Sequence, residues 1–244
     1  MNSLEKNIYN NYLQQYERIE KFDSKNLGQI KYKLDKEIKS TYLPSFKEYM
    51  PKDKNVQILD LGSGFGRFAY FCDLLGYKKY TGIDLSGGIG ICTKLFPDYK
   101  FIKDDFNNYL TASEEEFDVI FISHVLEHLK KDAMPDFLEK IRSKLKDNGI
   151  AIITVPNAAA YFGASGGRYI DFTHEIAFTP ESLEEILIAK SFKLIQSSNI
   201  KINVPLHKKF MHKIVKSLFE LLIKILGYKI ENIYTPAFFT VVKK

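Results

Sequence analysis

Ile58-Leu-Asp60-Leu-Gly62-Ser-Gly64-Phe-Gly66-Arg67-Phe68 reads as an apolar stretch of strand length, a glycine turn and the start of a helix. Glycines at 62, 64 and 66 permit a tight turn and let a ligand approach the main chain, because no Cβ stands in the way. A helix opening near Gly66 offers free N–H groups and the positive end of its dipole to a carboxylate or phosphate. The dinucleotide pattern G-x-G-x-x-G needs glycine or alanine at position 67, where this chain has Arg67. The spacing is instead G-x-G-x-G with Asp60 just ahead, which disfavours a nicotinamide-dependent dehydrogenase.

Outward from this turn, strand-length apolar runs alternate with helical patterns. Strands are predicted over residues 56–61, 80–83, 100–103, 118–122 and 150–155, and helices over 68–75, 89–96, 125–130 and 135–145. Such alternation signals a parallel sheet with helices on both faces, and continuous apolar strands signal burial on both faces. The Gly/Ala/Ser-rich residues 156–167 read as loop. Thr179-Pro-Glu-Ser-Leu183 opens a further helix, with Thr179 as cap and Pro180 in the first turn. Two more strands are predicted over 192–197 and 237–242, separated by a basic, strongly apolar helix over 207–227. Upstream, Ile8, Tyr12, Tyr16 and Ile19, then Leu34, Ile38 and Tyr42, recur at helical spacing. They predict two or three amphipathic helices, broken at Leu27-Gly28 and stopped at Pro44. The expected organisation is one domain: a helical cap over 1–52, an α/β core of 53–199 and 235–244, and an inserted helix over 200–234.

Composition narrows the function classes. In 244 residues, 19 Phe and 15 Tyr are enough to fill a core, which argues against disorder. Cys72 and Cys92 are the only cysteines, so a disulfide scaffold is excluded and buried thiols in a reducing compartment are expected. The net charge of +5, from 35 basic and 30 acidic residues, is too balanced to indicate a nucleic-acid partner. Neither a signal-peptide pattern nor a run of roughly 18 uncharged apolar residues occurs, so a cytoplasmic location is expected.

Five motifs in order resemble the class I S-adenosylmethionine-dependent methyltransferases over roughly residues 50–200. The glycine turn is the first. The second is Tyr80-Thr-Gly-Ile-Asp84-Leu85-Ser, whose acid lies about twenty residues beyond the turn, where a carboxylate can grip two ribose hydroxyls. Phe101-Ile-Lys-Asp-Asp105-Phe106 matches the family's adenine-binding turn. Phe117-Asp-Val-Ile-Phe-Ile-Ser123-His124-Val-Leu-Glu127-His128-Leu129 and Leu145-Lys-Asp-Asn-Gly-Ile-Ala-Ile-Ile-Thr-Val-Pro-Asn157 complete the set. The resemblance implies a doubly wound, mostly parallel seven-stranded sheet whose last strand is antiparallel. It also implies S-adenosyl-L-methionine as cofactor, held by Asp60, Gly62, Gly64, Gly66, Asp84, Leu85, Asp105, Phe106, Ser123 and His124. The segment Ser86-Gly-Gly-Ile-Gly90 is unusually glycine-rich for a helix start, and the sequence assigns it no purpose.

Two segments bear on the chemistry. His124, Glu127 and His128 would share one helix face and could hold a divalent metal. Some related methyltransferases use Glu-x-x-Glu-His here, but His124 stands where the first Glu would be, so no metal is expected. His124 instead lies where the resemblance places the reactive methyl. The second segment, Arg168-Tyr-Ile-Asp171-Phe-Thr-His174-Glu-Ile-Ala-Phe178-Thr-Pro-Glu-Ser-Leu183, is similar to a run in a branch linked to surface-glycan and sugar-nucleotide modification. An imidazole is suited to taking a hydroxyl proton near neutral pH, which makes His174 the expected base with Asp171 orienting its ring. The alternative is that Asp171 and Thr173 cap the next helix while His174 packs. The expected reaction is methyl transfer to an oxygen of a small acceptor, such as a sugar, sugar nucleotide or related precursor. An amine or phosphate-type acceptor, or a cofactor-binding protein without chemistry, is the competing reading. The helix over 207–227 is expected to serve as a lid, a homodimer contact or a peripheral membrane contact.

Overall fold

The structure of the chain, a computed structural model, describes residues 26–160, 171–203, 206–227 and 233–244. The helical spacing expected from Ile8 to Ile19 and the segment 161–170 lie outside these residues. The strands are β1 (Gln57–Leu61), β2 (Lys79–Asp84), β3 (Lys100–Lys103), β4 (Phe117–Ser123), β5 (Leu145–Pro156), β6 (Lys193–Asn199) and β7 (Ala237–Lys243). They form one seven-stranded sheet of order 3-2-1-4-5-7-6. β1 pairs in parallel with β2 and β4, whereas β7 runs antiparallel to both β5 and β6. The strand order therefore reverses between β1 and β4, and open α/β sheets bind ligands at the carboxyl edge of such a switch point.

Alternate residues of the strands feed two cores, following the period-two alternation of a pleated strand. Leu59, Leu61, Ile120 and Ile122 face α5 (Phe106–Ala112), α6 (Met134–Lys144) and α7 (Pro180–Ala189). Ile58, Tyr80, Val119 and Phe121 face α1 (Leu27–Glu37), α2 (Leu43–Phe46), α3 (Arg67–Leu74) and α4 (Gly88–Leu95). Cys72 and Cys92 are buried free thiols. Thr179 caps α7 as expected, in a reciprocal pair with Ser182.

The boundary expected at Leu27-Gly28 is the start of α1, where the Asn26 side chain accepts from Gln29 N at 3.0 Å. Two local expectations are corrected. Pro44 does not stop the chain: the helix widens into a π turn over Ile38–Tyr42, Leu43 N donates to Ile38 O, and α2 continues through the proline. A π turn ahead of the ring leaves the missing N–H of Pro44 without a gap to fill. Residues 125–130 do not form an α-helix. Only a 3-10 turn, Leu126–His128, follows β4, because His124 adopts φ +54° and Val125 φ −122°. Helix α5 escaped the periodicity because it is short and carries two asparagines, Asn107 and Asn108, in its first turn; Asp105 caps it through Asn107 N at 2.7 Å.

The last helix, α8 (Leu206–Ile225), lies between β6 and β7. Phe210, Ile214, Leu218, Leu221 and Ile225 are all exposed, so its apolar stripe is not packed on the described part of the chain. No helix among the described residues is long and apolar enough to cross a membrane.

Candidate active site

The glycine turn joins β1 to α3 in three successive reversals, with φ +77° at Gly62, +52° at Gly64 and +79° at Gly66. A Cβ at Gly62 would stand 2.6 Å from Val125 Cγ2, so the turn is pressed against the exit of β4 and admits no side chain. Gly62 N and Ser63 N donate to Ile83 O at 2.9 and 3.1 Å, which fastens the turn to the end of β2.

Asp84 closes β2 beside it. One carboxylate oxygen accepts from Gly64 N at 2.8 Å and the other from Ser86 N at 2.7 Å. Each oxygen carries two lone pairs, so both retain an acceptor position for a ligand hydroxyl. Gly88 explains part of the glycine-rich start of α4: its added Cβ would lie 2.4 Å from Gly64 O. The helix packs backbone-to-backbone on the glycine turn, a contact only tertiary structure reveals. Leu85 follows Asp84 and is half-buried.

Asp60 stands behind the turn. It is buried on β1 and accepts a short hydrogen bond from the Tyr80 hydroxyl. Burial pushes its carboxyl up to about 7, the Tyr80 hydrogen bond opposes this in part, and the charge of Asp84 adds to the rise. Tyr80 is itself raised well above the ordinary tyrosine range, first by burial and then by the Asp60 charge. At β3, one oxygen of Asp105 caps α5, which leaves the second as an acceptor. The Phe106 ring packs edge-on against Phe137 with centroids 5.4 Å apart.

At the exit of β4 the site adds hydroxyls and an imidazole to the glycine turn and its carboxylates. Ser123 Oγ shares a hydrogen bond of 2.8 Å with Thr154 Oγ1 on β5, and His124 N donates to Thr154 O at 3.0 Å. His124 then takes its left-handed backbone conformation, a sparsely populated state for a non-glycine residue that surrounding bonds must hold in place. Its ring is half exposed, at 52%, while the Glu127 side chain that holds its Nδ1 at 3.0 Å is 1% exposed.

His174 is placed differently from the expectation. Its side chain is only 10% exposed and its ring meets His128 edge-on, with centroids 4.7 Å apart. Asp171 Oδ2 lies 3.9 Å from His174 Nε2, too long for an orienting hydrogen bond. Asp171 Oδ1 instead accepts from Thr173 N at 2.8 Å and Thr173 Oγ1 at 2.7 Å. Thr173 Oγ1 in turn meets His128 Nδ1 at 2.8 Å. Neither Asp171 nor Thr173 caps α7, which begins at Pro180. Burial holds His128 below the ordinary imidazole range, with the neighbouring His174 contributing in the same direction against the opposing charges of Glu127 and Asp171. Glu175 N and Ile176 N donate to Glu127 O at 2.7 and 3.1 Å, so the 171–178 segment is laced to the β4 exit. Glu127 is the residue whose role the sequence understated. Its position three residues after His124 was visible, but its burial was not.

A glycine turn, a carboxylate at the end of β2 and a second at β3, set on a 3-2-1-4-5-7-6 sheet, define the class I methyltransferase fold. The methyltransferase domain family matches residues 29–197; the chain belongs to it and is an S-adenosyl-L-methionine-dependent methyltransferase. Among solved structures, it is similar to a SAM-dependent methyltransferase from Archaeoglobus fulgidus, at 23% identity and a TM-score of 0.58, covering 89% of this chain and 94% of that one. It is also similar to phosphoethanolamine N-methyltransferase 2 from Haemonchus contortus, in complex with S-adenosyl-L-methionine, at 17% identity and a TM-score of 0.55, covering 83% and 51%. A third is 1,6-didemethyltoxoflavin-N1-methyltransferase from Burkholderia thailandensis, with bound S-adenosylhomocysteine, at 19% identity and a TM-score of 0.50, covering 78% and 71%. No curated protein sequence matches the chain. The residues present fit the donor: the Asp84 and Asp105 carboxylates keep acceptor positions beside the glycine turn, and the buried Ser63 hydroxyl within the turn has no hydrogen-bond partner among the described residues.

Proposed function

We propose that this chain transfers a methyl group from S-adenosyl-L-methionine to an oxygen of a small acceptor, with His124 taking the acceptor's proton. The observation that carries this reading is the His124–Glu127 pair: an exposed imidazole at the carboxyl edge of β4, its Nδ1 held at 3.0 Å by a buried carboxylate. A carboxylate on Nδ1 keeps the proton there and presents Nε2 as a lone pair, the arrangement that orients histidine bases. Donor binding falls to Gly62, Gly64, Gly66, Asp84 and Asp105, with Leu85, Phe106 and Ser123 lining the approach and Asp60 supporting the turn from behind. The bound donor supplies a methyl group on a sulfonium centre, whose leaving group needs no further activation. The chain's own task is to align the acceptor in line with that methyl and to remove a proton where the acceptor carries one.

The preference for oxygen follows from this base. A neutral amine can attack with its lone pair and lose its proton afterwards, whereas a hydroxyl gains most from a base in the transition state. Two similar structures are N-methyltransferases of small molecules, which supports a small acceptor and makes nitrogen the competing atom. A sugar or sugar nucleotide is the proposed acceptor class, supported by the resemblance of residues 168–183 to the glycan-modifying branch. His174 and Asp171 take a supporting role in this reading, since both are partly buried and the His174 ring packs edge-on against His128. The exposed apolar stripe of α8 supports a contact with a second copy or a membrane surface.

The test is a panel of hydroxyl and amine acceptors assayed with methyl-labelled donor, repeated with His124→Ala at saturating donor. Oxygen methylation with kcat lowered about 10²–10⁴-fold in the variant is expected, the usual worth of a positioned base. Turnover confined to amines, or a variant with near-normal kcat, overturns the proposal.

A further inference from the structure

Between the β4 exit and the 171–178 segment lies a group of ligating side chains that donor binding does not use. Glu127, His128 and His174 each bring one ligating atom, and these atoms lie within 4.8 Å of one another. Glu127 is 1% exposed; one of its oxygens meets His124, while Oε2 is buried with no hydrogen-bond partner. Leaving a charged oxygen out of water and without a partner is strongly unfavourable unless a cation compensates. The hydrogen bonds around His128 point the same way. The Thr173 hydroxyl donates to Asp171 Oδ1 and so accepts from His128 Nδ1–H. A hydrogen bond from Nδ1–H to an anchored hydroxyl is the pattern by which ligating histidines are oriented through their other nitrogen.

We propose that Glu127, His128 and His174 form a binding site for a first-row divalent cation of the zinc class. Two imidazole nitrogens and one carboxylate oxygen suit such an ion, whereas magnesium and calcium prefer an all-oxygen set. The expectation of no metal rested on His124 standing where related methyltransferases carry the first Glu of a metal motif, with His124, Glu127 and His128 read as one helix face. The helix is absent, and the fold brings in His174, from a segment almost fifty residues away, in its place. The charges balance, since the Glu127 and Asp171 carboxylates lie beside a doubly charged ion. The ion would join the β4 exit to the 171–178 segment. It would also act on His124, because Glu127 would bind it through one oxygen and hold the His124 Nδ1 proton through the other. This last role rests on the reading of His124 as the base, whereas the metal site itself does not.

The experiment is metal binding to the full chain, prepared without a polyhistidine tag. The expected results are about one equivalent of a zinc-class metal by elemental analysis, and a chelated protein that regains its melting temperature on titration with Zn²⁺ alone. Co²⁺ in the same site should give the visible absorption of a low-coordinate ion. Glu127→Gln and His174→Ala should abolish the Zn²⁺ response, and Thr173→Val should weaken it about 10–100-fold, the usual effect of removing a ligand's hydrogen-bond partner. His124→Ala should still bind one equivalent, which separates this site from the base. Absence of metal from the wild-type protein together with no saturable Zn²⁺ binding after chelation overturns the proposal, whether or not the variants fold. Binding that survives both Glu127→Gln and His174→Ala also overturns it.

Discussion

At pH 8 the fold holds a carboxylate at Asp60 inside its core, and replacing it by Asn should reveal this as a pH-dependent stability difference. Asp60 is 2% exposed and its carboxyl is pushed up to about 7, against an ordinary value of 3.8. The folded state therefore binds this proton more tightly than the unfolded chain does. The corresponding stability is complete below the unfolded value and is lost as the pH rises toward 7. Over the whole window this rise corresponds to about 4 kcal/mol, and between pH 5 and pH 8 to roughly 2–3 kcal/mol. Asn keeps the size of the side chain and an oxygen for the Tyr80 hydroxyl, and it does not titrate. Its amide adds a donor to a buried position, but that effect is the same at both pH values. Urea unfolding of wild type and Asp60→Asn at pH 5 and pH 8 isolates this contribution, because groups that titrate independently of Asp60 cancel in the double difference. Asp60→Asn should gain roughly 2–3 kcal/mol on wild type between the two pH values. A difference that stays flat within about 0.5 kcal/mol, the usual uncertainty of additivity, would refute the buried, raised carboxyl.

Other expected outcomes test the site from its neighbours. Gly62→Ala forces a side chain into φ +77° with its Cβ 2.6 Å from Val125, and should destabilise by about 2–5 kcal/mol from backbone strain plus overpacking, read by denaturant unfolding. Gly88→Ala should separate α4 from the glycine turn and weaken donor binding by calorimetry, since its Cβ would meet Gly64 O at 2.4 Å; unchanged affinity would show that the helix and turn move independently. Asp84→Ala should lower donor affinity about 10–150-fold, from the loss of charge-assisted bonds worth about 1.5–3 kcal/mol. S-adenosyl-L-methionine at a hundred times its dissociation constant should stabilise the wild type by about 2.7 kcal/mol, and this gain should shrink in Asp84→Ala.

The sequence by itself determined the sheet, and the glycine turn and strand-end carboxylates proposed to hold the donor. Buried parallel strands leave continuous apolar runs, a strand-to-helix turn with positive φ demands glycine, and carboxylates at strand ends follow those runs at fixed offsets. All of these are short-range consequences of backbone geometry. Thr179 was legible for the same reason, since a cap and its helix are neighbours in the chain. The reactive corner was decided by tertiary structure. His124 and Glu127 looked like two positions on a helix, but the left-handed backbone at His124 ended that helix before it began and turned the pair into an exposed ring on a buried carboxylate. His174 looked like a base on a loop open to the acceptor. Hydrogen bonds from Glu175 and Ile176 to the Glu127 carbonyl draw that segment in until the ring packs on His128, and no local pattern encodes a contact across some fifty residues. The glycine at 88 had no meaning along the chain and acquired one only where α4 meets the carbonyl of Gly64. Periodicity records which residues face a core, whereas burial, proton affinity and ligand geometry depend on which distant side chains the fold brings into contact.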